Sequence, residues 1–286
     1  MRMAMQHRPL SLLAALGLVF ASAAFGQAAK SPAAPAATKA RLPRMADGKP
    51  DMTGVWQGGS NRIGSWEEAN ANGGQGAGGL EAGATPVRVA NVKLPPSDKP
   101  PYKPELVAKV REAFDRRGID EPMARCYPPG VPRTTVMGLF PMQIVQTPTQ
   151  VVMLFEVFGV FRIIPIGGTH PDDAEPSFTG DSVAHWEGDT LVVDVTNFND
   201  KTWLTGVGTF HSDKLHVVEK FTRVDENTIV YSATMEDPEV FTKPWTIHNT
   251  IMLRPGMRLR EYVCAENNVD IGRFEELLKT GLHMRK

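Results

Sequence analysis

From Met142 onward, apolar and polar residues alternate in short runs separated by turn residues, the period-two pattern of half-buried β-strands. MQIVQT (142–147) and VVMLFEVF (151–158) flank Pro148-Thr149-Gln150. SVAHW (182–186) and TLVVDVT (190–196) flank Glu187-Gly188-Asp189. LHVVEKFTRV (215–224) and TIVYSATM (228–235) flank Asp225-Glu226-Asn227. TIHNTIML (246–253) and RLREYVC (258–264) flank Arg254-Pro255-Gly256-Met257. Each pair of runs around a tight connection predicts a β-hairpin. With VFRIIPI (160–166) and an early strand at Thr53–Gln57, the chain holds about ten strands.

A long meander hides its edges best by closing on itself. The expected fold is mainly β, a single up-and-down antiparallel barrel, with a two-sheet sandwich as the alternative. There is no βαβ alternation, which argues against a doubly wound sheet, and no internal repeat, which argues against a propeller. Period changes to that of a helix in two places. Pro104 and Glu105 open a run carrying Leu106, Val110 and Phe114, which Gly118 ends. Near the C-terminus Asp270 caps a run with Ile271, Phe274 and Leu278, which Gly281 stops. Both helices should cover the barrel.

The N-terminus follows neither pattern. Arg2 and Arg8 precede an apolar run from Leu10 to Phe25, and Ala24-Phe25-Gly26 places small residues around a cut before Gln27. Residues 1–26 therefore read as a secretory signal peptide, the run being short for a membrane span of about 20 residues. Residues 27–44 read as a disordered Ala/Pro/Lys leader, and 45–286 as one barrel domain. Asn70–Ala84, with six glycines and no apolar period, reads as a mobile loop.

Composition adds two exclusions. Lys+Arg number 31 against 32 Asp+Glu, and cleavage would remove two Arg and no acid, so no basic excess exists for nucleic acid. After cleavage no other apolar run approaches a spanning length. The two cysteines, Cys126 and Cys264, fit a disulfide in an oxidising compartment. The rival roles are a buried free pair, a catalytic thiol and a metal ligand. Neither cysteine lies in a CxxC, and no His is close to either in sequence.

Gly54-Val55-Trp56, on the first expected strand, resembles the GxW signature of lipocalins. That resemblance implies an Arg stacked on Trp56, with Arg254, Arg258 and Arg260 as candidates. PDMTGVW (50–56), CYPPGVPR (126–133), WEGDTLVVD (186–194), EDP and KPW (236–245) and EYVCAEN (261–267) together resemble a large family of uncharacterised secreted bacterial proteins. The likeness covers nearly all of the chain after the leader. It implies a periplasmic or extracellular location and one β-rich domain, and it implies no activity. Members often carry Arg where this chain has His185.

The remaining signal is charge within strands. Asp194, Glu219, Glu156 and Glu261 interrupt apolar strand patterns, and such acids either pair with Arg, for which Arg162, Arg223 and Arg260 are available, or line a cavity. His170 and His211 lie in expected loops near acids and are candidate acid/base groups. His216 is a further candidate, as a ligand-binding residue with Glu156, Trp203 and Trp245. Most aromatics of such a barrel are core, and Trp203, in a polar segment, is the best candidate for a stacking wall. No GxSxG, SxxK, P-loop or strand-linked GxGxxG occurs, so nucleophilic catalysis and nucleotide binding have no support. No HExxH or HxH occurs either. No cofactor is expected, and a metal site from His170, His211 and an acid could be assembled only in three dimensions.

These residues suit a barrel that binds a small organic molecule, hydrophobic or aromatic, and acts on it by cofactor-free acid/base chemistry of a lyase, isomerase, hydratase or hydrolase type. His170 or His211 would move the proton, and Asp194 or Glu219 would orient it. The alternatives are a non-catalytic carrier of an apolar ligand and a structural or interaction protein with a filled barrel. An enzyme should bring a carboxylate and a His within hydrogen-bond reach, a carrier should have an apolar cavity, and a filled barrel should show its acids paired.

Overall fold

The computed structural model describes residues 42–58, 92, 94–95, 97–116, 120–138, 140–204, 208–266, 272, 276 and 279. The expected signal peptide, nearly all of the leader and the Gly-rich stretch 70–84 lie outside the described residues. So do Gly118 and, in the C-terminal run, Asp270, Ile271, Phe274, Leu278 and Gly281. Gly272, Glu276 and Lys279 of that run are helical and exposed.

Nine strands form the wall: β1 (Gly54–Gly58), β2 (Pro141–Gln146), β3 (Gln150–Phe155), β4 (Phe161–Pro165), β5 (Asp181–Glu187), β6 (Thr190–Thr196), β7 (His216–Arg223), β8 (Thr228–Glu236) and β9 (Trp245–Leu253). Their order is β4-β3-β2-β1-β9-β8-β7-β6-β5, each neighbouring pair antiparallel. This is the expected up-and-down barrel, nearly closed. Helix α1 (Val107–Asp115) follows a 3-10 turn at Pro104–Leu106, and a single turn, α2, spans Arg133–Val136. Val110 is the buried residue of α1, as its spacing predicts.

An odd number of strands in such a ring forces one junction to be parallel. That junction is β4/β5, joined by one parallel bridge, Ile166 to Ala184, a 2.7 Å bond from Gly167 N to the Ala184 carbonyl, and a side-chain bond from Arg162 Nη2 to Ser182 Oγ at 2.9 Å. A parallel neighbour cannot be reached through a tight hairpin. Residues 166–180 must therefore travel back along the barrel, and this return carries His170.

One expected hairpin does not form. RLREYVC is not a strand, because the free edge of β9 is taken by β1, with Trp56 opposite Leu253 and Gly58 opposite Ile251. Nine strands result, and residues 254–264 run instead as a strap across the outside. Arg254 N bonds the Val55 carbonyl at 2.8 Å. At the far end Cys264 joins Cys126, the Cα atoms 5.6 Å apart across 138 residues. The disulfide thus ties the CYPPG segment to the strap, rather than to a last strand. In the chain-entropy model a loop that long adds at most roughly 5 kcal/mol.

The inward residues of the described strands are buried. Trp56, Phe221, Tyr231, Ile247 and Ile251 are buried to within 1%. The CYPPGVPR segment supplies a plug, for Val131, Thr134, Thr135 and Val136 are all buried. A side chain at Gly130 (φ 76°) would meet Thr202 Oγ1 at 2.7 Å, so glycine is required where the plug enters. The Trp56 indole donates to the Met52 carbonyl at 2.8 Å. An arginine does lie over its ring, 5.2 Å from the centroid, but it is Arg223 of β7 and not Arg254, Arg258 or Arg260. Arg223 is an inward position at the end of β7, and its guanidinium also bonds the carbonyls of Asp51 and Glu226. Arg254 turns instead to Gln57 Oε1, at 2.9 Å. No helix among the described residues is long and apolar enough to cross a membrane. The outward positions of β5–β7 include His185, Asp194, His216 and Lys220.

Candidate functional site

Strand alternation decides which acids reach solvent. On β6, Leu191, Val193 and Val195 are buried, so Asp194 points outward. On β7, Val217, Glu219 and Phe221 are buried, so His216 points outward. Asp194 stands opposite Val183 of β5 and Val218 of β7, and Asp181 stands opposite Thr196. Asp181 and His216 therefore flank Asp194 diagonally on one outer face, within reach of long side chains. The return segment lays His170 over them.

The result is a four-residue chain of hydrogen bonds. His170 Nδ1 meets Asp181 Oδ1 at 2.5 Å, His170 Nε2 meets Asp194 Oδ1 at 2.9 Å, and His216 Nε2 meets Asp194 Oδ2 at 2.8 Å. An ionised carboxylate only accepts, so both nitrogens of His170 must carry protons for both bonds to exist. Partial burial opposes that charge, but the bonds to Asp181 and Asp194 outweigh it and raise the His170 pKa above 6.5. Burial likewise opposes the Asp194 charge, and the bonds from His216 and His170 outweigh it, holding Asp194 below its usual 3.8. Asp194 thus stays ionised and fixes the Nε2–H tautomer of His216. Nδ1 of His216 has no hydrogen-bond partner among the described residues, and the side chain is 38% exposed. An imidazole oriented by a carboxylate, with its other nitrogen free, is equipped to accept a proton.

Other candidates lie elsewhere. His211 is buried. Its Nδ1 donates to the Ser212 carbonyl at 2.8 Å, so Nε2 accepts from Thr202 Oγ1 at 2.7 Å. Burial, only partly opposed by the Ser212 carbonyl and by Asp237 and Asp200, lowers its pKa and keeps it neutral. Glu219, fully buried, accepts from Arg162 Nη2 at 2.6 Å, Tyr231 OH at 2.8 Å and Thr135 Oγ1 at 3.2 Å. It is an interior ion pair with Arg162, and His211 is not oriented by it. Of the expected residues, His170 and not His211 lies beside Asp194, while Glu219 faces the other side of the wall. Trp203 is buried and bridges Phe210, and Trp245 packs in the core against Phe241, so neither stands as a stacking wall. Glu156 lies beyond β3, where its Oε2 accepts from Arg260 N at 2.7 Å.

Asp181 is the member that sequence reasoning passed over, since the expected strand began at Ser182. Extending that strand back by one residue places it on the outer face with Val183 and His185. Among the described residues no group of three or more His, Cys, Asp or Glu is placed to hold a metal ion. No family model, curated protein or solved structure matches the chain.

Proposed function

We propose that this is an exported protein, periplasmic or secreted, that acts on a small organic molecule by cofactor-free acid/base chemistry on the outer wall of its barrel. The observation that carries the reading is the Asp194–His216 pair, with one imidazole nitrogen fixed and the other free. His216 Nδ1 takes a proton from a substrate C–H or O–H, or from a water that attacks it. Asp194 holds the ring and offsets the charge that forms on it. His170, clamped between Asp181 and Asp194, is a positioning residue that keeps Asp194 ionised and in place. Returning the proton from His216 to another atom completes a lyase, isomerase or hydratase step. The carrier alternative draws no comparable support, since the inward side chains of the described strands are buried against one another.

The test is a profile of small-molecule extracts incubated with wild type, His216→Ala and Asp194→Asn. At least one compound should be consumed by wild type and spared by both variants. With the reaction run in D2O, its product should carry deuterium at the protonated position. Identical profiles for wild type and His216→Ala would refute the reading. N-terminal sequencing of the exported chain should begin at Gln27, and a chain retaining residues 1–26 would count against export by cleavage.

A further inference from the structure

Away from the histidines, on the β1–β3 side of the barrel, the strap leaves a cleft of about 860 Å³. Its construction follows from where the strap is anchored. At one end Arg254 is held by the Val55 carbonyl and by Gln57. At the other, Arg260 N is held by Glu156, Tyr262 packs on Phe140 and Phe158 with ring centroids 5.3 and 5.2 Å away, and Cys264 is disulfide-bonded. Between these anchors a turn at Pro255-Gly256, closed by Met257 N to the Arg254 carbonyl at 3.1 Å, lifts the chain off the wall. The volume lies within the range of small-molecule sites, roughly 300–1,000 Å³.

The lining divides by chemistry. Pro141, Pro255, Met257 and Leu259 are apolar. Gln57 is already satisfied, its Nε2 donating to the Gly138 carbonyl at 2.6 Å and its Oε1 accepting from Arg254. The charged residues of the lining are Glu156, Arg258 and Arg260. Glu156 is engaged by a backbone N–H, and neither the Arg258 nor the Arg260 guanidinium has a hydrogen bond or ion pair with any described residue. Two uncommitted guanidiniums against one carboxylate leave a net positive site beside an apolar wall. A guanidinium matches a carboxylate in planarity and charge.

We propose that this cleft binds a small organic anion, a carboxylate on an aromatic or aliphatic body, with Arg258 and Arg260 taking the charge and Met257 and Leu259 covering the apolar part. It is a second site, independent of the acid/base cluster on β5–β7. Calorimetric titration of the full protein with 2-naphthoate, 2-naphthamide and inorganic phosphate tests it. Naphthoate should bind about tenfold or more tightly than the neutral amide or phosphate, and high salt should weaken it. Arg258→Gln with Arg260→Gln should abolish the preference for the acid. Glu156→Gln, which keeps an acceptor for Arg260 N, should tighten naphthoate binding several-fold, and this variant decides the matter if the double Arg variant does not fold. His216→Ala should leave binding unchanged, which separates this proposal from the acid/base reading. No naphthoate binding, equal binding of acid and amide, or phosphate binding as tightly as naphthoate would overturn it.

Discussion

Asp194 and Glu219 sit on adjacent strands, one pleat apart: Val193 stands opposite Glu219, and Asp194 opposite Val218. One carboxylate faces out and the other in, and their surroundings differ accordingly. Glu219 is enclosed by Arg162, Tyr231 and Thr135, every contact a donor aimed at a fixed charge. Tyr231, pushed well above its ordinary pKa mainly by burial and also by Glu219, stays protonated and donates. Asp194 is bonded by two histidines and is a third exposed. The inner acid is a structural fixture, and on the proposed reading the outer one orients the imidazole that accepts the proton. Desolvation makes the difference, since a buried charge must be paired permanently while a partly exposed one keeps some of its hydration.

The widest gap between the two should show in stability. Glu219→Ala leaves Arg162 buried without its counter-charge and should cost about 3–5 kcal/mol by urea denaturation. Joint replacement of Arg162 and Glu219 by Met and Leu should recover most of that loss. If Glu219→Ala melted like wild type, the inner acid would not be the fixture described. Removing the strap's staple, with Cys126→Ala and Cys264→Ala together, should cost about 2–5 kcal/mol, read as a lower urea midpoint than the oxidised parent.

The outer acid should behave in the opposite way. Asp194→Asn should change stability by less than about 1 kcal/mol, as partly exposed ion pairs do. The same variant should slow turnover of any substrate by about 100-fold or more. A large stability loss with activity retained would reverse the assignment.

The smallest effect is the dependence of stability on pH. His170 has its pKa raised in the fold, so its contribution is full below about pH 6.5 and fades as pH rises through the folded value. Asp194 has its pKa lowered, so its contribution is present above about pH 3.8 and fades as pH falls through the folded value. The difference in melting temperature between wild type and His170→Asn should therefore be largest between those limits and shrink at alkaline pH. A difference that grew above pH 7 would contradict the clamped imidazolium.

Much of the wall was legible in the chain. The alternation in TLVVDVT and LHVVEKF marked Asp194 and Glu219 as acids within strands, and three of the four expected hairpins formed. The fourth failed because β9 pairs with β1, a contact between the first and last strands of the chain that no local pattern encodes. His170, His216 and Asp194 were each visible as candidates, but their meeting was not. His170 reaches Asp194 only because the β4/β5 junction is parallel and sends its connection back along the wall. Arg223 over Trp56 escaped for the same reason, since strands far apart in sequence share one end of the barrel.

By itself the sequence determined the strand periodicity, most of the turns and which residues could titrate, because each depends on neighbours along the chain or on a simple count, and it left the pairing of Cys126 with Cys264 for the fold to decide. The tertiary structure alone decided which parity of each strand faces the core. It thereby made Glu219 a buried ion pair, His211 a neutral buried imidazole, and Asp194 with His170 and His216 a solvent-reaching cluster. Residue chemistry is local, but the desolvation that turns a carboxylate into a fixture or a working group depends on what the rest of the chain packs around it.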